Sequence, residues 1–126
     1  MQDEPTAVEL TKAVADFLRN DIAPMISGHN AFKLRVAINA LELVGRQLTL
    51  AEGGDAAEAD RLAKLLGTPG SLLEQNRVLA QRVARGEFDL ATPGLAQHLW
   101  QTTLAKLAVD QPNYSSYKRE LGREKK

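Results

Sequence analysis

Residues 31–48 read AFKLRVAINALELVGRQL, a long apolar stretch interrupted at Arg35, Asn39, Glu42 and Arg46. At about 100° per residue, Leu34, Ala37, Ile38, Leu41, Val44 and Leu48 fall in one broad stripe of a helix. Phe32, Val36, Leu43 and Leu50 fall in a second stripe, nearly opposite, and the four polar residues occupy the strip between them. A helix that is apolar on two faces must be covered on two faces. This one is therefore either the central helix of a bundle or a helix half covered by a partner subunit. The polar strip is then the seam between the two covering layers.

The rest of the chain reads as helix as well. A first helix opens near Thr6, where Thr6 and Glu9 have capping-box spacing behind Pro5. Leu10, Ala13, Val14, Phe17 and Leu18 repeat along one face, and Pro24 and Gly28 mark the end. The second helix is expected from about Asn30 to Glu52, stopping at Gly53-Gly54, and a third from about Ala56 to Leu66, closing at Gly67. Ser71 with Glu74 is a second capping box; it opens a helix presenting Leu72, Leu73, Leu79, Ala80 and Val83, with Gly86 as a left-handed cap. Thr92 followed by Pro93 reads as an N-cap and first helical residue, leading through Leu95, Leu99, Leu104 and Leu107 to a stop before Pro112. The tail SSYKRELGREKK adds a short turn and then frays, over about 118–126. Alternating β-branched and aromatic residues never persist long enough to predict a strand. The expected fold is all-α: one domain over 1–126, a compact bundle of about five helices with a long central second helix.

A chain of 126 residues can build such a core without staples, and with no cysteine it has no disulfide or thiolate site. Lys plus Arg equals Asp plus Glu at 16 each, without the basic excess that usually drives phosphate-backbone binding, so no nucleic-acid partner is expected. The acidic start MQDEPTAVEL lacks a secretory pattern, and no uncharged apolar stretch is long enough to span a bilayer. The cytoplasm is the expected compartment.

No catalytic constellation emerges. The two histidines, His29 and His98, lie far apart in sequence, the first at a helix start and the second on the expected polar side of its helix. Zinc needs three or four ligands, and no His–carboxylate pair repeats at the spacing of di-iron bundles. The segment AEGGDAAEA lacks the Lys-Ser/Thr of a phosphate loop, so neither metal nor cofactor is expected. Trp100 reads as a packing anchor.

Polar residues on apolar faces are the remaining candidates. Glu42 and Arg46 are i, i+4 and can pair on one helix, while Arg35 can reach water along its stem. Alternatively, the two guanidiniums of Arg35 and Arg46 flank Asn39 at the rim of an apolar groove, suiting an anionic ligand or a partner's carboxylate. Asn76 points into an apolar face and needs a partner, either a backbone carbonyl or Asn39, or alternatively a ligand. Near the end, Lys106 and Asp110 are i, i+4 neighbours, and Asp110 to Tyr114 form a turn in which the Asp side chain can cap local backbone.

The segments PTAVEL (5–10), FKLRVAINAL (32–41), LLEQNRVLAQRVARG (72–86) and AKLAVDQPNY (105–114) resemble a small bacterial all-helical family catalogued as a domain of unknown function. Members are typically encoded beside an aminoglycoside-phosphotransferase-like kinase and an acyl-CoA dehydrogenase. The resemblance implies an accessory role in acyl-CoA metabolism and carries no established catalytic residues. Its pattern coincides with the residue reading at Arg35, Asn39, Asn76, Lys106, Asp110 and Tyr114, which with Arg46 are the candidate binding residues. Two functions follow. One is an interaction module docking on the kinase-like protein or the dehydrogenase, with homo-oligomerisation a further option. The other is a small-molecule binder or enzyme for an acyl-CoA or phosphorylated acyl intermediate, favoured by the line Arg35, Asn39 and Arg46.

Overall fold

The computed structural model describes residues 3–124. Five α-helices lie among them, α1 (Ala7–Phe17), α2 (Gly28–Leu66), α3 (Leu72–Ala84), α4 (Leu95–Asp110) and α5 (Ser115–Glu124), and no strand. No helix among these residues is long and apolar enough to cross a membrane. Both expected capping boxes form: the Glu9 N–H donates to Thr6 Oγ1 and the Thr6 N–H to Glu9 Oε2, with the same reciprocal pair at Ser71 and Glu74. After α1 the helix widens into a π-turn, Leu18–Ile22, in which the Ala23 N–H donates to the Leu18 carbonyl; a 3-10 turn containing Pro24 then ends it.

Two helices expected on either side of Gly53-Gly54 are one. Each glycine costs a helix about 1 kcal/mol relative to alanine, but neither takes a positive φ, and the neighbours are good helix formers. The stop comes at Gly67, whose φ of +72° no longer continues the helix. The tail is more regular than expected, since 118–124 belong to α5; the rest of the segment expected to fray, Lys125 and Lys126, lies outside the described residues. α4 opens later than expected. Its N-cap is Gly94, at φ +87°, and the Thr92 hydroxyl instead accepts from the Asp89 N–H at 2.9 Å.

The chain gathers into two compact units, one ending at Ala51 and one beginning at Glu52. In the first, α1 packs on the N-terminal half of α2. Ala15 and Ile38 are buried. Gly45 permits the close approach, because a Cβ there would sit 3.3 Å from Thr11 Oγ1. Arg19, in the π-turn after α1, pairs with Glu42 of α2, which links the two elements. Much of the apolar surface stays uncovered. Leu10, Val14 and Phe17 of α1 are exposed, although the sequence pattern reads them as its core face.

In the second unit the C-terminal half of α2 meets α3 and α4 around Leu62, Leu66, Leu79 and Leu95, with Leu65, Leu72, Val78 and Phe88 packed at the margin. Gly86 takes the expected left-handed conformation, and the Glu87 N–H returns to the Arg82 carbonyl at 2.9 Å. α3 turns differently from the expected register. Leu73 and Val83 face outward, and Gln75 is buried beside Leu79.

Candidate functional sites

The polar line of α2 belongs to the first unit. Arg35 and Asn39 are exposed and Arg46 is half-buried. Beside them, Phe32, Val36, Leu43 and Leu50 are all exposed, at 56%, 51%, 37% and 42%. These four form the second apolar stripe of the helix, and nothing in the first unit covers them. Ile38 on the opposite stripe is buried, whereas Val44 and Leu48 of that stripe are 45% and 48% exposed. His29 stacks on Phe32 with ring centroids 6.4 Å apart, a contact between two exposed rings at the start of α2.

The other expected residues belong to the second unit and do not converge. Asn76 is half-buried and hydrogen-bonded as its helix position demands. Its amide donates to the Leu72 carbonyl at 3.1 Å and to Glu58 Oε1 at 2.7 Å, and the second partner is Glu58 rather than Asn39. Lys106 and Asp110 are exposed near the end of α4. The turn that follows closes through backbone, with the Tyr114 N–H donating to the Gln111 carbonyl at 3.0 Å, not through the Asp110 side chain as expected. Tyr114 is about half exposed. Trp100 is 51% exposed, so it does not anchor the core.

A different polar group occupies the interior of this unit. His98 is 3% exposed, on the buried line of α4 with Leu95 and Val109, and not on a polar face. Its Nδ1 has no hydrogen-bond partner, and neither does the buried Nε of Arg61. Arg61 reaches from α2 to α4, where its Nη2 donates to Thr102 Oγ1 at 3.3 Å. Burial holds the His98 imidazole below its usual pKa, and the Arg61 charge pushes the same way against a smaller opposing pull from Glu58. Over these two residues opens a cleft of about 290 Å³, lined also by the polar Lys64, Gln97 and Gln101 and the apolar Leu65 and Pro93. Gln75 lies buried on α3, its amide donating to the Thr68 carbonyl at 3.0 Å while Oε1 is unpartnered.

Sequence reasoning missed Arg61, Gln75 and His98. The signal for His98 was its spacing: Leu95, His98, Thr102 and Val109 follow i, i+3, i+7 and i+14, a helical line. Leu99, Leu104 and Leu107 offered a competing line on the same helix, yet Leu99 is 45% exposed. No three His, Asp or Glu side chains among the described residues come together as metal ligands.

Residues 24–114 match the family model described as a domain of unknown function, DUF6285. No curated protein and no solved structure matches the chain.

Proposed function

The chain belongs to the DUF6285 family, and we propose from that premise that it is a helical interaction module, an accessory protein without chemistry of its own. Its docking face is the stripe Phe32, Val36, Leu43 and Leu50, whose exposure is the observation that carries this reading. Contiguous apolar surface of this kind is a mark of interaction sites. Lys33 and Arg35 flank the stripe and are exposed, so the partner surface it fits is apolar at the centre and acidic at the rim. The family resemblance supports a partner in acyl-CoA metabolism, either the aminoglycoside-phosphotransferase-like protein or the acyl-CoA dehydrogenase. Co-expression of the tagged chain with each candidate tests it. Wild type should form a stoichiometric complex with one of them, and Phe32→Ser with Val36→Ser should abolish it without loss of helical content. If wild type binds neither, or light scattering shows the stripe closed by a second copy of the chain, the reading is wrong.

A second reading, a binder of an acyl-CoA or phosphorylated acyl intermediate, is favoured by the cleft over Arg61 and His98. Melting with and without coenzyme A tests it, since a ligand at 100 times its Kd stabilises by about 2.7 kcal/mol.

A further inference from the structure

We infer that the cleft between α2 and the start of α4 is an oxyanion site, built to hold the phosphate or carboxylate group of a small metabolite against Arg61, Lys64 and His98. It rests on the second reading above, which uses the same cleft, and is independent of the docking face.

Three observations converge on it. The first is charge. Arg61 and Lys64 are both cationic and both line the cleft, and a guanidinium donates to oxyanions in a fixed geometry. Arg61 uses one N–H on Thr102, and its buried Nε–H has no acceptor. The second is the helix end. Pro93 and Gly94 line the cleft, and α4 begins there without any side-chain cap. The first N–H groups of a helix lack intrahelical partners and favour an anion; here that of Leu95 donates to the Thr92 carbonyl at 3.2 Å, so the dipole and the N–H groups after it are what the helix end offers. The third is His98, 3% exposed and lining the same cleft, with Nδ1 unpartnered. Buried polar atoms without partners are rare in folded proteins. Two of them in adjoining residues, beneath a cleft that carries two cations, mark a place where an acceptor-rich group completes the hydrogen bonding.

Size narrows the ligand. At about 290 Å³ the cleft lies at the lower edge of ligand pockets, which start near roughly 300 Å³. It takes an anionic headgroup with a short chain beside Leu65 and Pro93, and of a larger ligand such as an acyl-CoA only the anionic end fits inside. Gln97 and Gln101, one turn apart on α4 and both in the lining, offer amides to further oxygens on the same ligand.

The two histidines give the test its reporters, because His98 lies in the site and His29 is exposed in the other unit. Their imidazole signals are followed by NMR while inorganic phosphate, or in a second arm propionate, replaces chloride at constant ionic strength. The expected result is a saturable shift of His98 with His29 unmoved. Response to phosphate alone identifies a phosphorylated ligand, and response to propionate alone a carboxylic acid. Arg61→Met should weaken the binding by at least about tenfold. Because Arg61 is half-buried and its loss can disturb the fold, exposed Lys64→Met is the second variant, expected to weaken binding severalfold with the circular dichroism unchanged. The inference is overturned if neither anion moves His98 saturably, if His29 shifts in parallel, or if Lys64→Met binds both anions as wild type does.

Discussion

His98 shows how one residue ties the interior of the second unit to pH. Its folded pKa is lowered by burial and by Arg61, with Glu58 opposing, whereas in the unfolded chain it returns to about 6.5. Between the two values the unfolded state binds more protons, so stability rises with pH there. The contribution is complete above about pH 6.5 and is lost as the pH falls through the folded value. The carboxylates of Glu9 and Glu74 are lowered as well, by their hydrogen bonds to Thr6 and Ser71. Their stabilisation is present above about 4.3 and is lost only below it, so neither is the source of a difference between pH 5 and pH 7. Urea unfolding of the wild type should show a lower midpoint at pH 5 than at pH 7. His98→Gln should flatten that difference; an unchanged pH dependence in the variant would assign it to other groups.

On the scale of one helix, the glycines of α2 divide by what surrounds them. Gly53 and Gly54 sit in the helix interior with open space where a Cβ would go. Alanine there removes backbone freedom from the unfolded chain and meets nothing in the folded one. Gly53→Ala should therefore stabilise by about 0.5–1 kcal/mol. Gly45 is helical too, but its Cβ would come within 3.3 Å of Thr11 Oγ1. That hydroxyl is held by the Ala7 and Val8 carbonyls at 3.0 and 2.9 Å and has little room to retreat. Gly45→Ala should cancel its propensity gain against the displaced α1, leaving the midpoint unchanged or lower. Denaturant unfolding of the two variants side by side checks the contrast, and an equal gain at both positions would mean that α1 and α2 do not meet at Thr11.

At the scale of the molecule, what remains uncovered decides what it can do. Arg35 stands exposed beside the Phe32 and Val36 stripe. Exposed charges contribute about 0–1 kcal/mol to stability, and methionine keeps most of the apolar stem. Arg35→Met should leave the melting temperature within about 4 °C, the shift that about 1 kcal/mol produces in a domain of this size. Binding to an acidic-rimmed partner should fall by about 1 kcal/mol or more and should lose part of its salt dependence. The two readouts separate a surface residue from a recognition residue on the same folded variant. A normal melt with unchanged partner affinity would make Arg35 a solvated side chain and nothing more.

What the sequence determined by itself is what a few adjacent residues settle among themselves. The capping boxes at Thr6–Glu9 and Ser71–Glu74 close through contacts three residues apart, and Gly86 caps its own helix. The all-helical class follows from the same local preferences, and so does the doubly apolar character of residues 31–48. The choice of buried face was not local. On α3 the pattern put Asn76 inward, but Gln75 is the buried amide; on α4 Leu99 competed with His98, and His98 is inside. Both helices carry apolar residues around much of their circumference, so periodicity offers several faces and the position of the neighbouring helices selects one. The pair of Arg19 with Glu42 is likewise tertiary, since the π-turn after α1 brings a guanidinium to α2 across a gap of 23 residues. Gly53-Gly54 stayed helical because a glycine pair only weakens a helix, and ending one requires the backbone to turn left-handed, as it does at Gly67. The cleft over Arg61 and His98 draws on residues more than thirty positions apart, and only the packing of α2 against α4 brings them together.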